Sequence, residues 1–201
     1  AQGGDGGFVE VSGKRNLTFD GDVVTSAAKG RAGMLLLDPG DLYFSAAAVG
    51  GATELQGPQV FEVPAHVPPP AQQGDFYVAA SRFTLAGTGS ATSSYTLKAN
   101  GHFILQTDAS FASATNQTVS ITAGDSIRSN NFSISTAGAN LNLTGKSMTL
   151  GAVTTGAGAL TINVTDVGQS ATQSGVFSGR SLTKQGDGIL VLSQANTYSG
   201  G

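Results

Sequence analysis

The chain has 201 residues, of which 11% are charged, 7% are aromatic and 29 are glycine, about twice the usual share of glycine. Hydrophobic residues make up 39% and the net charge is only −3, which excludes the low hydrophobicity and high charge of a disordered chain. With 10 Lys and Arg residues and a small negative charge, the composition also excludes the basic footprint that nucleic-acid binding needs.

Membrane and redox features give further limits. The longest apolar runs, residues 34–37 and 46–49, are far shorter than the roughly 20 residues that cross a bilayer. The absence of cysteine excludes disulfides and thiolate chemistry. The opening stretch AQGGDGG has neither the basic nor the apolar region of a signal peptide. Any membrane contact is therefore expected only through an anchor or transporter outside these residues.

In chain order, the sequence divides into three parts. Residues 1–54 are predicted to form a first block of β-helix coils. Residues 55–75 hold five of the six prolines, and because proline lacks the amide donor of a central strand, this segment is predicted to protrude from the stack as a loop. Residues 76–201 are predicted to form a second block of coils, continuous with the first in one rod.

Short runs in the second block alternate apolar side chains with Ser, Thr or Asn, the period-two pattern of a half-buried strand. The runs are residues 118–122, 132–135, 140–144, 148–150, 160–164 and 189–192. Within them, Ile121, Leu141 and Leu160 recur at intervals of about 20 residues, which is a solenoid spacing. Gly, Asn and Asp turn signals separate the runs, and no long stretch has helical periodicity.

Two all-β architectures fit these runs, an antiparallel sandwich and a parallel β-helix. A sandwich usually draws on bulky aromatic cores and on strands without a longer register. In a β-helix, successive coils stack about 4.8 Å apart, so small Ala, Ser, Thr and Asn side chains form ladders and Gly turns the corners. The composition favours an all-β solenoid, a parallel β-helix with about 20 residues per coil and roughly ten coils.

Two segments carry a resemblance to known families. GGFVEVSGKRNLTFDGDVVTSAAKGRAGMLLLDP, residues 6–39, resembles the repeat of filamentous haemagglutinin-type adhesins. LTKQGDGILVLSQANTYSGG, residues 182–201, is similar to the autotransporter-associated β-strand repeat. The resemblance implies a right-handed parallel β-helix in a large secreted or surface protein of a Gram-negative bacterium. It implies export by two-partner secretion or as an autotransporter passenger, and a chain that is a fragment of a longer protein.

Parallel β-helices also carry polysaccharide lyases and hydrolases, so carboxylate pairs are candidate catalytic groups. Asp108 and Asp125 would stack on neighbouring coils, but Asp is a favoured turn residue and no Arg or Lys cluster accompanies the two. The motif GDSI, residues 124–127, resembles the serine motif of some lipolytic hydrolases, yet no His and acid follow it in the expected arrangement. No catalytic residue is predicted.

Metal and cofactor sites are not predicted either. His66 and His102 are the only histidines, too few for a zinc site unless carboxylates join them. His66 is expected to be exposed in the Pro-rich segment, and His102 to be a turn residue. Aromatic side chains, among them Tyr43, Phe44, Tyr95 and Tyr198, offer a stacking surface for sugars, but in a rod they are more often core fillers.

The sequence therefore predicts a non-enzymatic rod segment of an adhesin, on the bacterial cell surface or secreted, that mediates attachment or forms an extracellular scaffold. Expected partners are cell-surface glycans or proteins, with end-to-end self-association as a further expectation. Two alternatives stay open, a β-helical carbohydrate-active enzyme and a self-stacking filament subunit. The predicted contact residues lie in and beside the Pro-rich segment: Phe61, His66, Pro68, Pro69, Pro70, Phe76 and Tyr77.

Overall fold

A computed structural model describes residues 8–11, 34–37, 41–49, 53–54, 60–62, 76–83 and 93–200, with side chains described for 41–49, 77–83 and 93–200. Every strand pairing among these residues is parallel. The strands stack as a β-solenoid with about 22 residues per turn and almost no helix. The predicted all-β parallel β-helix is confirmed.

Three parallel sheets form the sides of the solenoid. The first sheet contains, in spatial order, β1 (Phe8–Val11), β2 (Met34–Leu37), β5 (Val60–Glu62), β7 (Tyr95–Ala99), β10 (Thr118–Ala123), β13 (Asn140–Gly145), β16 (Ala159–Val164) and β19 (Ser181–Gln185). The second contains β4 (Thr53–Glu54), β6 (Phe76–Ala79), β3 (Leu42–Ser45), β8 (Phe103–Leu105), β11 (Ser126–Arg128), β14 (Ser147–Leu150), β17 (Ser170–Gln173) and β20 (Ile189–Val191). The third contains β9 (Ala109–Phe111), β12 (Ile134–Thr136), β15 (Val153–Thr154), β18 (Phe177–Gly179) and β21 (Thr197–Tyr198).

Helical structure within the described residues is confined to the single 3-10 turn Ala80–Phe83. No helix in this part of the chain has the length and apolar character needed to span a membrane.

Five consecutive coils, from Tyr95 to Tyr198, each give one strand to every sheet. One column of partners in the first sheet takes a single residue from each of these coils: Tyr95, Val119, Leu141, Leu160 and Leu182. The sequence spacing suggests that Ile121 and Leu141 are equivalent, but the structure pairs Ile121 with Leu143. The apolar alternation alone does not distinguish registers that differ by two positions, since both keep the same face inside.

The coils before Tyr95 contain more residues than the later coils. This follows from the first sheet, where the paired residues of these early coils lie further apart in the sequence. In the first sheet, Met34 pairs with Phe8 and Glu62 pairs with Leu36. The widest separation follows, between Phe61 and its partner Leu97. Among the described residues the first sheet therefore has eight strands, fewer than the ten coils predicted.

Part of the Pro-rich segment forms a strand of the first sheet and does not protrude. Val60–Glu62, inside the range 55–75 predicted to protrude, is strand β5 between β2 and β7. These three residues contain no proline, so their amides are available to the ladder. Residues 55–59 and 63–75 lie outside the described part of the chain.

The second sheet departs from chain order at its beginning, where β3 lies between β8 and β6. The Phe44 ring of β3 stacks on Phe83 at a centroid distance of 5.4 Å and lies 5.7 Å from Phe111. Phe83 in turn meets Tyr95 edge-on at 5.1 Å. Because aromatic pairs at these separations add to the burial of large apolar surface, this cluster holds β3 against the coil of β7–β9.

The core is a set of columns in which each inward side chain rests on its equivalents in the coils on either side. Leu143 is fully buried between Ile121 and Ile162, its partners in the neighbouring strands. Burying such a side chain contributes about 1.5–3 kcal/mol. The interior is thus one continuous core that is built from the same contact repeated between neighbouring coils.

Glycine at the coil corners allows the backbones to approach. A Cβ atom on Gly124 would lie 2.0 Å from the carbonyl oxygen of Asn100 in the preceding coil. At Gly145, the last residue of β13 in the next coil, the nearest backbone atoms would be 3.5 Å from an added Cβ, an ordinary contact. Gly124 is therefore required by close packing, whereas Gly145 is not.

We expect Gly124→Ala to destabilise the chain by about 1–3 kcal/mol, because the added methyl group must displace the Asn100 carbonyl. The matched variant Gly145→Ala is expected to stay within about 1 kcal/mol of the unmodified chain. Urea unfolding followed by circular dichroism measures both. Equal stabilities of the two variants would contradict this account of the corner.

Candidate functional site

The structure describes only part of the predicted contact surface. His66, Pro68, Pro69 and Pro70 lie outside the described residues, and Phe61 and Phe76 are described only as members of β5 and β6. Tyr77 is on β6 with 9% of its surface exposed. The role of these seven residues in contacts stays a prediction.

Among the described residues, the outer face of the second sheet carries polar side chains and one arginine beside a groove. Strand alternation turns Ile127 and Met148 into the core and their neighbours outward. The strand register aligns the outward residues into two columns, one of serines and one of arginine followed by threonines. The columns are Ser126, Ser147 and Ser170, and Arg128, Thr149 and Thr172. Together they line a groove of about 270 Å³.

At the β11 end of this groove, four polar side chains converge from two coils. The Nδ1 atom of His102 lies 2.8 Å from the Oγ of Ser126, and its Nε2 lies 3.5 Å from the Oδ2 of Asp125. Arg128 donates from Nε to Ser126 Oγ at 2.9 Å, and its Nη2 lies 3.2 Å from His102 Nε2. His102 is positioned by its backbone N–H, which donates to the Asp41 carboxylate at 2.8 Å.

The serine motif at residues 124–127 has no partner histidine downstream in the sequence. The structure supplies that histidine from the preceding coil, because Ile127 pairs with Phe103 and so places Ser126 beside His102. The sequence does not predict this contact, because the histidine precedes the serine instead of following it. Only the register between coils reveals a partner one coil upstream.

The arrangement does not favour a nucleophilic serine. The 3.2 Å contact with Arg128, which can only donate, fits His102 with an unprotonated Nε2 and a proton on Nδ1 that is donated to Ser126. The 3.5 Å contact of the same Nε2 with Asp125 fits the other tautomer, in which Nδ1 accepts from the Ser126 hydroxyl as a general base would. In both tautomers Ser126 Oγ accepts a hydrogen bond from Arg128 Nε, which makes the oxygen a poorer nucleophile. Ser126 and Arg128 also lie in a central strand with partners on both sides, so their amides serve the ladder rather than an oxyanion hole. What the cluster offers is one exposed arginine beside serine and histidine side chains, with the Asp125 carboxylate next to His102.

Asp108, the other candidate acid, lies outside the groove and is hydrogen-bonded to Ser133. Its Oδ1 accepts hydrogen bonds from the backbone N–H of Ser133 at 2.7 Å and from the Ser133 hydroxyl at 2.9 Å, beside β12 of the third sheet. Asp125 instead lies beside His102 at the second sheet. The two carboxylates therefore have separate partners and do not form a catalytic pair.

No group of three or more His, Asp or Glu side chains in the described part of the chain is close enough to hold a metal ion. Of the aromatic residues that could stack on sugars, Phe44 and Tyr95 are core residues with at most 2% exposure. Tyr198 is partly buried against the core.

In the final coil, β19–β21, polar contacts close the turn after β19 and attach the start of β21 to the preceding coil. Lys184 replaces an apolar residue below Ile162, and its ammonium donates to the carbonyls of Gln185 and Gly186 at 2.6 and 2.7 Å. Gly186 has φ +71°, and its Cβ would lie 2.2 Å from the Val164 carbonyl oxygen, so only glycine fits this turn.

At the other end of the coil, Asn196 and Gln173 form a closed amide pair. Asn196 Nδ2 donates to Gln173 Oε1 at 3.1 Å, and Gln173 Nε2 donates to Asn196 Oδ1 at 2.9 Å. The same Oδ1 atom accepts the backbone N–H of Phe177 at 2.8 Å. Gln173 is 7% exposed, so these bonds satisfy a buried amide and fix the distance between the last two coils.

The two hydrogen bonds from Ser133 hold the pKa of Asp108 below its usual value, the backbone bond being the larger cause and the hydroxyl bond the second. We expect Ser133→Ala to raise this pKa toward its usual value, and Ser135→Ala, on the same strand, to leave it unchanged. An NMR titration of the Asp108 carboxyl measures both. An identical Asp108 pKa in Ser133→Ala and the unmodified chain would contradict the assignment.

Because the folded-state pKa of Asp108 is lowered, its ionised form stabilises the fold above the unfolded pKa of about 3.9. That contribution is lost as the pH falls through the folded-state pKa. Asp108→Asn should therefore show a smaller acid-induced loss of stability in this window than the unmodified chain.

We expect Asn196→Ala to weaken the attachment of the final coil by about 1–3 kcal/mol, because it leaves the Phe177 N–H without its partner and removes two of the four hydrogen bonds of the Gln173 amide, which keeps those to Gly175 and Ser193. The control is Gln194→Ala, slightly earlier in the chain on the exposed surface. Hydrogen exchange at the Phe177 amide is the measurement, with faster exchange expected in Asn196→Ala only. Equal exchange rates in both variants would show that the amide pair does not hold the coil.

Comparison with known proteins gives one finding. A family model described as the passenger-associated-transport-repeat matches residues 182–201, the stretch that forms β19–β21. Neither the curated proteins nor the solved structures include a match to the chain. The resemblance of the final coil to an autotransporter passenger repeat is confirmed, and this repeat family implies a secreted or surface-exposed protein.

Proposed function

We propose that this chain is a rod segment of a secreted or surface-exposed bacterial adhesin, and that its outer faces attach to cell-surface glycans or proteins. The observation that carries the proposal is the coincidence of a passenger repeat with a complete coil of a parallel β-helix. The repeat supports export to the cell exterior, and the fold supports an extended, stiff shape.

The fold suits a rod because every coil is stabilised by the coils before and after it. The stability of such a solenoid is close to a sum of coil and neighbour terms, so the shaft can lengthen without a new core. Parallel stacking also repeats the same outward positions about every 4.8 Å along the axis. Ligands with a repeated chemical unit, such as polysaccharides, match such a surface.

Two surfaces are offered for attachment. The first is the Pro-rich segment on either side of β5, residues 55–59 and 63–75, which its prolines predict to be loops, since loops on a rigid scaffold commonly carry recognition. The second is the groove on the second sheet, which joins hydroxyl side chains to Arg128. Either surface needs no cofactor to act.

We expect beads coated with the purified chain to bind epithelial cells at least several-fold more than beads coated with bovine serum albumin. Pretreatment of the cells with glycosidases or with protease identifies the receptor as glycan or protein. A variant in which residues 63–75 are replaced by a Gly-Ser linker tests the Pro-rich segment separately. Binding at the albumin level on all cell types, with the chain folded by circular dichroism, would overturn the adhesive proposal.

A further inference from the structure

The groove on the second sheet has the chemistry of an anion site. Arg128 is exposed, and no carboxylate of the described residues lies within ion-pairing distance of it. Ser126 is 7% exposed and accepts a hydrogen bond from Arg128 Nε, so the groups that face a ligand are the remaining N–H groups of Arg128 and the hydroxyl of the exposed Thr149 in the next strand. An unpaired guanidinium beside hydroxyl donors is suited to carboxylate or sulfate groups, which it binds through two parallel N–H bonds.

The remainder of the groove indicates what carries the anion. Beyond Arg128 the floor consists of hydroxyls, with Ser147 and Thr149 on β14 and Ser170 and Thr172 on β17. Each step from strand to strand is about 4.8 Å, close to the length of one pyranose ring. A polysaccharide lying along the rod axis would therefore meet one pair of hydroxyl side chains per sugar.

The face also has a defined end. In the last described coil, Ile189 follows Ser170 and Val191 follows Thr172 in the two columns. These side chains are 57% and 44% exposed, so the polar floor changes to an apolar one. The hydroxyl-lined part spans β11, β14 and β17, about 10 Å along the axis. This length suits a short stretch of an extended chain and not a deeply enclosed small molecule.

We infer that this groove binds an acidic polysaccharide, with Arg128 holding a sulfate or carboxylate group and the Ser and Thr columns holding the sugar hydroxyls. The inference rests on the proposed adhesive function and names its ligand class. Lys146, exposed at the turn before β14, adds a second positive charge beside the groove. Asp125 contacts His102 Nε2, which in turn lies 3.2 Å from Arg128 Nη2, so its carboxylate makes no ion pair with Arg128 but lowers the positive potential at this end of the groove.

The test uses the purified chain and three size-matched oligosaccharides at physiological salt: heparin-derived (sulfated), polygalacturonate-derived (carboxylated) and dextran-derived (neutral). Calorimetry is expected to detect binding of at least one acidic oligosaccharide, and dextran binding at least tenfold weaker. The comparison of the two acidic probes distinguishes sulfate from carboxylate as the bound group. No binding of either acidic probe, or equal binding of dextran, would overturn the inference.

Arg128→Gln is expected to weaken acidic-oligosaccharide binding at least tenfold, and Thr149→Val about two- to fivefold. The control is Arg180→Gln, which makes the same change in net charge at an exposed arginine between β18 and β19 and should change affinity less than twofold. Equal weakening by Arg128→Gln and Arg180→Gln would mean unspecific charge attraction and would overturn the site. The Nε resonance of Arg128 should also shift on titration with the bound probe.

Failure of this site and failure of the adhesive function give different results. If Arg128→Gln beads still attach to cells while no acidic probe binds the chain, the groove is not a polysaccharide site and attachment uses another surface. If neither cells nor probes bind, both proposals are wrong.

Discussion

The structure depends on the in-register stacking of parallel strands from successive coils. Each coil places its inward side chains on those of the coil before it, as Leu143 does between Ile121 and Ile162. The same register brings corner backbones so close that Gly124 has no room for a side chain. It also brings residues distant in sequence together on the outer face, which is how His102 reaches Ser126. The core, the corners and the candidate site are therefore consequences of one arrangement.

The residues of the passenger repeat can be explained by the contacts that they make in this stack. Lys184 and Gly186 close the first turn of the final coil, and Asn196 attaches its last strand to Gln173. These residues make contacts between coils or within the turn that allows them, and none of them needs an external ligand. The repeat is a stacking unit, whose contacts hold the final coil on the coil before it.

Much of the fold could be predicted from the sequence because β-strand alternation is a local signal. The predicted runs 118–122, 140–144 and 160–164 nearly coincide with β10, β13 and β16. The predicted strand at 132–135 is shifted to Ile134–Thr136, because Asn130 and Asn131 have positive φ and Phe132 donates to the Ser129 carbonyl in a turn. Local alternation does not distinguish a strand from a turn of polar residues beside it.

The register and the site needed information that is not local. Alternation fits Ile121 opposite Leu141 or Leu143 equally well, and the choice depends on how each corner fits its neighbour. The contact of His102 with Ser126 follows from that choice, as does the alignment of Arg128 with Thr149. The position of β3 between β8 and β6 depends on the packing of Phe44 against Phe83 and Phe111, which alternation does not specify.

The absence of cysteine in the chain makes the register directly measurable by disulfide formation. Ser120 pairs with Asn142 on the outer face of the first sheet, so cysteines at these two positions have Cα atoms about 4.8 Å apart, within disulfide range. Cysteines at Ser120 and Asn140, which would face each other if Ile121 paired with Leu141, are two positions out of register, about 8 Å apart, and outside that range. Under mild oxidation, the in-register stack predicts a crosslink in Ser120→Cys/Asn142→Cys and none in Ser120→Cys/Asn140→Cys, as read by mass spectrometry. A crosslink in the second pair and none in the first would contradict the stacking on which the account depends.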